Sequence, residues 1–226
     1  MQKLLGRYEE SAMAEAELIQ TGAVPKAGKD DRRDAIIAIA REAFAADGYA
    51  GTSMSSIAAR LGGSKGTLYS YFKSKEELFI AVVQKKCEKI LGMLNAAEIE
   101  SGGDLRATLT NFGEHFVELI LSDDSVATFR LATAECARFP EIGRAIYNSG
   151  VRQNNQRMAE FLTQAKEAGQ LRSDTDVNVA TEQFLDLCLA GIHRRRLWNV
   201  VGGPTAQEIR TNVANAVSTF MRAFGA

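Results

Sequence analysis

Between Ser64 and Lys75 the chain reads SKGTLYSYFKSK. Ser64, Thr67, Tyr69 and Tyr71 offer hydroxyls, Lys65 and Lys75 offer ammonium groups, and Gly66 leaves the backbone uncovered. No carboxylate, histidine or thiol lies among them, so acid–base and nucleophilic chemistry lack their usual parts. Contact is the chemistry that remains. Hydroxyl and ammonium donors reach phosphate oxygens and base edges, and glycine allows close backbone approach. A tyrosine adds a flat apolar ring to a hydroxyl. Leu68 and Phe72, four residues apart, point the other way and hold the segment on its neighbours.

Such groups are useful only if one short element presents them together. Ser64 is placed to cap a helix ending near Phe72. Ser74 and Glu77 read as a capping box that opens a longer helix through about Ala97. Upstream, Ile36, Ile37, Ala40 and Phe44 recur at helical spacing, DGYAGTS breaks that helix at Gly48 and Gly51, and Ser53 is placed to cap the next. The next helix carries Met54, Ile57, Ala58 and Leu61 on one stripe and stops at Gly62-Gly63. Two short helices across a glycine turn, with a third ahead of them, make a helix-turn-helix. Its first helix anchors through an apolar stripe, while its second lies in a DNA major groove, where bulky apolar groups would be useless. Ser64 and the amides at that helix's start suit a phosphate.

Beyond ESGGD the helical spacing continues over about 104–121, 125–138, 141–168 (with room for a bend), 175–200 and 205–224, without strand-like alternation. The expected fold is all-α. Residues 1–30 form an N-terminal extension ending in the Gly/Pro/Lys-rich TGAVPKAGKDD, read equally as a short helix or a flexible arm. Residues 31–77 form the helix-turn-helix head, and 78–226 the remaining helical domain.

Net charge is −1, yet it is unevenly spread. Residues 26–75 hold nine Lys/Arg against five Asp/Glu, and the remainder is acidic. A basic segment on an acidic body fits a local anion-binding face. Cys87, Cys136 and Cys188 lie too far apart in sequence for a disulfide framework or a C-x-x-C site, which fits a reducing cytoplasm. No apolar run is long enough to span a membrane, and acidic residues interrupt the N-terminus where a secretory signal would be apolar. His115 and His193 have no His or Cys at ligand spacing, so no metal and no cofactor is expected. GGSKGT puts lysine before glycine and follows no strand, unlike a nucleotide-binding loop. No catalytic arrangement stands out, and an enzyme is not expected.

The stretch RRDAIIAIAREAFAADGYAGTSMSSIAARLGGSKGTLYSYFKSKEELFIAVV resembles the DNA-binding domain of the tetracycline-repressor (TetR) family of bacterial transcriptional regulators. Its matching features are Ile-x-x-Ala-x-x-x-Phe in the first helix, Gly-Tyr before Thr-Ser-Met, and Ser-Lys-Gly-Thr-Leu-Tyr-x-Tyr-Phe-x-Ser-Lys-Glu-x-Leu. The resemblance implies a homodimer whose two heads read a palindromic double-stranded operator, while a helical C-terminal domain binds a small effector. It places Thr52 and Ser55 at phosphate or bases, Ser64, Lys65, Gly66, Thr67, Tyr69 and Tyr71 on the recognition helix, and Lys75 on a phosphate. Gly63 stands where a small aliphatic is usual, and Ser55 where a longer polar residue is common. RLATAECARFPEIGRAIYNSG with LCLAGIHRRRLW is similar to the AcrR/AefR-like subgroup.

The family pairs its last two long helices, which here suggests a dimer bundle through Val177, Ala180, Phe184, Leu187 and Gly191 with Ile209, Val213, Val217 and Phe220. Its effectors bind within each C-terminal domain, so helices 104–121, 125–138 and 141–168 are expected to diverge around a cavity. Phe112, His115, Phe116, Phe129, Tyr147 and Phe184 are its candidate lining, which favours an uncharged, hydrophobic ligand. The arginines of HRRRLW complement a helix C-terminus. The function expected is a repressor released from its operator by that ligand. The rivals are a ligand-independent DNA-binding factor on the same fold, and a helical carrier or enzyme using the head as scaffold.

Overall fold

Helical patterning governs the described chain, residues 29–226 of a computed structural model, in which the side chains of Lys29, Lys86, Cys87, Leu91, Ile99, Glu100, Ser101, Glu141 and Ser149 are not described. The expected extension 1–30 lies almost wholly outside the described residues. No strand occurs among them; one isolated bridge joins Leu171 and Gly225. The all-α expectation is met, and two compact units divide between Val82 and Val83.

In the N-terminal unit, α1 (Lys29–Gly51), α2 (Met54–Arg60), α3 (Lys65–Tyr71) and the first turns of α4 (Lys75–Ser101) surround one small core. Ile36, Ile37, Ala40 and Phe44 are buried, as their spacing predicts. Phe44, Tyr49 and Phe79 meet ring to ring, 5.2–5.7 Å between centroids. Leu78, Phe79 and Val82 are buried too, which carries this unit past residue 77. Gly48, at φ +71°, interrupts α1 in a conformation an L side chain rarely adopts. Ser53 and Ser56 form a reciprocal capping box on α2, and Ser64 caps α3. At α4 only half of the expected box forms. Ser74 accepts the Glu77 amide, but the Glu77 carboxylate accepts from Lys73 N–H at 2.7 Å.

The C-terminal unit holds α5 (Leu105–Leu121), α6 (Asp123–Cys136), α7 (Pro140–Ile146), a π-helical turn (Tyr147–Val151), α8 (Arg152–Glu167), α9 (Val177–Leu189), α10 (Ile192–Leu197) and α11 (Ala206–Phe224). The span expected as one bent helix is thus α7, the π turn and α8. The span 175–200 breaks at Ala190-Gly191 into α9 and α10. Asp104, Asp176 and Thr205 cap α5, α9 and α11, the last with a full capping box to Glu208.

Apolar faces of α5, α8, α9 and α11 make the core of this unit, with a run of rings Phe116, Phe112, Phe184, Phe220 and Phe224. At Gly113 a Cβ would stand 2.8 Å from Val213 Cγ1, so glycine lets α5 and α11 meet closely. The residues expected to join two protomers are mostly spent here. Ala180, Phe184, Ile209, Val213, Val217 and Phe220 are all buried within the single chain. That apolar stripe is taken up by the chain's own core.

Candidate nucleic-acid interface

Burial divides α3 cleanly. Leu68 and Phe72 have no exposed surface, while Lys65, Gly66, Tyr69 and Ser70 are exposed and Thr67 and Tyr71 are half-buried. One face thus anchors the helix, and the other presents an ammonium, a bare backbone, a ring with a hydroxyl and small polar groups. Ser55 is exposed on α2. A Cβ at Gly66 would meet only Ser64 Oγ, at 3.6 Å, so nothing within the chain demands glycine there. At Gly63 a Cβ would likewise make only ordinary contact with Leu61.

Three of the residues expected at DNA are engaged within the head. Ser64 Oγ accepts the Thr67 amide at 3.1 Å and lies 3.0 Å from the Thr67 hydroxyl, so it sets the start of α3. Thr52 is buried, and its hydroxyl donates to the Gly48 carbonyl at 2.7 Å and the Ala43 carbonyl at 3.2 Å. A hydroxyl held this way locks the turn after α1. Lys75 Nζ donates to the carbonyls of Tyr49 (2.8 Å) and Thr52 (3.0 Å) and lies 4.2 Å from the Tyr49 ring centroid. An ammonium has three donors. Two of them tie the α1–α2 turn to the start of α4, so Lys75 frames the recognition element first.

Glu76 completes this frame by accepting from the Tyr49 hydroxyl at 3.0 Å. Its own backbone amide, the Ser74 hydroxyl, the Tyr49 hydroxyl and the neighbouring Lys75 charge hold its carboxyl below the usual range, against an opposing effect of partial burial. Arg60 pairs with Asp47 at 2.6 Å, and Arg33 lies 5.0 Å from the Phe72 ring, backing the inward side of α3. Sequence reasoning did not single out Ser70. It shares the exposed face and donates to Thr67 O at 2.7 Å; its place beside Tyr69 was the available signal.

The six candidate ligand residues are not brought together. Phe112 and Phe116 stack at 5.6 Å, Phe184 lies 6.4 Å from Phe112, and all three are core. The i, i+4 spacing of Phe112 and Phe116 builds the contact of α5 with its neighbours. His115 is exposed, with Nδ1 2.8 Å from Asn111 O. Phe129 is exposed and meets His193 edge-on at 5.4 Å; Tyr147 is exposed too. Burial lowers the pKa of His193. Three of the six thus lie in the core of this unit and three on its surface.

Open clefts lie among the described residues of this unit. One, of about 520 Å³, lies between α8 and α9 and includes Tyr147, Asn155 and Thr181. Another, of about 550 Å³, is bordered by Glu114, Glu118, Asp123, Arg196 and Arg210. Arg196 departs from the expected helix-end role. It is buried, donates to Leu121 O and pairs with Asp123, while Arg130 takes the Leu197 and Arg196 carbonyls at 2.7 and 2.8 Å. Among the described residues no group of three His, Cys, Asp or Glu could hold a metal, and no helix is long and apolar enough to cross a membrane.

Comparison with known proteins finds a family match in each unit. Residues 36–82 match the family model of bacterial regulatory proteins, tetR family. Residues 107–226 match that of the AefR-like transcriptional repressor C-terminal domain. The transcriptional activator FasR of Mycolicibacterium smegmatis is 35% identical over 95 residues, covering 42% of this chain; the match spans 43% of FasR, under half its length. The flavonoid-responsive regulator FrrA is 30% identical, with a TM-score of 0.71 over 85% of this chain and 96% of that one. A tetR-family regulator structure from Mesorhizobium loti superposes with a TM-score of 0.77 over 88% of this chain and all of the other; at 24% identity it speaks for the fold alone.

Proposed function

The chain belongs to the tetR family of bacterial regulatory proteins and is a DNA-binding transcriptional regulator, and from that premise we propose that it is a repressor released from its operator by a small effector. The carrying observation is the split of α3, with Leu68 and Phe72 wholly buried behind an exposed Lys65, Gly66 and Tyr69. In this reading Lys65, Thr67, Tyr69 and Tyr71 meet base edges across the major groove, and Gly66 admits the backbone to it. Ser55 touches a phosphate, and the third donor of Lys75 takes another. Thr52 and Ser64 hold the frame.

Two heads are needed to read a palindrome, with recognition helices about 34–36 Å apart. The proposed dimer uses the faces of α9 and α11 turned away from the core, where Val179 is exposed. Effector binding favours a dimer with the two heads at another spacing, a population shift set by differential affinity. The match of residues 107–226 to the AefR-like repressor domain supports repression, and the likeness to FrrA, a flavonoid-responsive regulator, supports a small-molecule effector. Activation is the second reading, favoured by the likeness to the activator FasR. Action in the cytoplasm follows from either.

The test is selection of genomic DNA fragments by the purified chain, followed by mobility shift on the enriched sequence. A palindromic fragment bound by two copies supports the proposal. Enrichment of nothing beyond bulk DNA refutes it.

A further inference from the structure

The cleft between α8 and α9 carries an observation that the helix packing does not explain. Thr181, on its floor, is 1% exposed, and its hydroxyl oxygen has no hydrogen-bond partner. Helical threonines in this unit commonly satisfy the hydroxyl by donating one turn back. Thr108, Thr110, Thr128, Thr133 and Thr163 each do so at 2.8 Å. A buried hydroxyl left without a partner is costly, and here it borders a cleft large enough for a small molecule.

The rest of the lining states which chemistry fits. Asn155, Gln156 and Asn178 bring amides, each of which both donates and accepts. Tyr147, from the π-helical turn between α7 and α8, adds an exposed ring and a phenol. Single π turns are rare and often mark functional sites. One cation, Arg152, faces two carboxylates, Glu160 and Glu182, so a phosphate or carboxylate guest would meet a net negative wall. Groups that donate and accept at once match hydroxyls, which do the same. The volume, about 520 Å³, lies in the range of small-ligand sites.

We infer that the α8–α9 cleft is the effector site and takes a neutral, multiply hydroxylated small molecule carrying a ring that stacks on Tyr147. This rests on the reading that the chain responds to a small effector. The ligand chemistry has two sources, a glycoside or a polyphenol, and the probes separate them.

Calorimetric titration of the full chain with phenyl β-glucoside, with quercetin and with decanoate, in wild type, Thr181→Val and Asn155→Ala, tests it. Saturable binding of one hydroxylated probe, weakened about tenfold in each variant, is the expected result; a tenfold loss corresponds to one hydrogen bond of ordinary worth. Thr181→Val should melt no lower than wild type, because a methyl replaces a hydroxyl that has no partner. Failure of both hydroxylated probes overturns the assignment, as does binding that survives both variants or is tightest for decanoate. Mobility shift without probe, on the selected fragment, runs in parallel. Loss of DNA binding in the wild type would refute the regulatory reading, whereas the titration still decides the cleft.

Discussion

The head and the C-terminal unit solve the problem of positioning in opposite ways. In the head, short helices are fixed by polar groups bonded to backbone: Thr52 to Gly48 and Ala43, Lys75 to Tyr49 and Thr52, and the caps Ser53 and Ser64. In the C-terminal unit, long helices are fixed by apolar area, with the rings of Phe112, Phe184 and Phe220 at its centre. A two-turn helix such as α3 has too little apolar face to hold itself, so it borrows precision from hydrogen bonds around it. What that teaches is where each unit is vulnerable. The head should fail through lost bonds and altered charge, and the C-terminal unit through lost volume.

The largest expected effect tests the apolar half. Phe184 is wholly buried, so Phe184→Ala should cost about 3–5 kcal/mol, the range for an aromatic deleted from a core. Denaturant unfolding measures it, and a cost below about 1 kcal/mol would mean that the ring sits in a site that collapses freely.

Next comes the polar half. Lys75→Met removes two charge-assisted bonds while keeping much of the stem, and should cost about 2 kcal/mol. If its third donor reaches a phosphate, the salt dependence of DNA binding also falls by about one charge per subunit. Lost stability with an unchanged salt slope would leave Lys75 as frame alone.

Those two predictions also mark what could be read from the chain itself. The helices of the head were legible because Ser53, Ser64 and Ser74 precede runs with the right spacing, and Leu68 and Phe72 fall on one side. Thr52 and Lys75 have roles in the frame of the head that their sequence positions did not show. Each is polar and near the turn, and only the folded path of α1 shows that the carbonyls of Ala43, Gly48, Tyr49 and Thr52 point at them. In the C-terminal unit the helices were legible but their use was not. An i, i+4 pair such as Phe112 and Phe116 looks the same whether it lines a cavity or packs against three helices. The unpartnered hydroxyl of Thr181 leaves no trace in the sequence, because it depends on what α8 and α9 do not provide.

The smallest effect concerns pH in the head. The Glu76 carboxyl is held below its ordinary value, so its contribution to stability is present above the unfolded pKa near 4.5 and is lost as pH falls through the lower folded value. Glu76→Gln should therefore lower the melting temperature slightly at neutral pH. The gap from wild type should close as pH drops below that unfolded value. A gap independent of pH would assign the loss to the neutral hydrogen bond with Tyr49.

The central claim is that the outward face of α3 reads DNA while its inward face only holds the helix. Tyr69→Ala, measured by mobility shift on the selected fragment and on bulk DNA, and by thermal melting, tests it most directly. Tyr69 is 43% exposed, so the expected result is a loss of preference for the selected fragment of about tenfold or more, one base contact's worth, with a nearly unchanged melting temperature. Retained preference, or a large loss of stability, would contradict it.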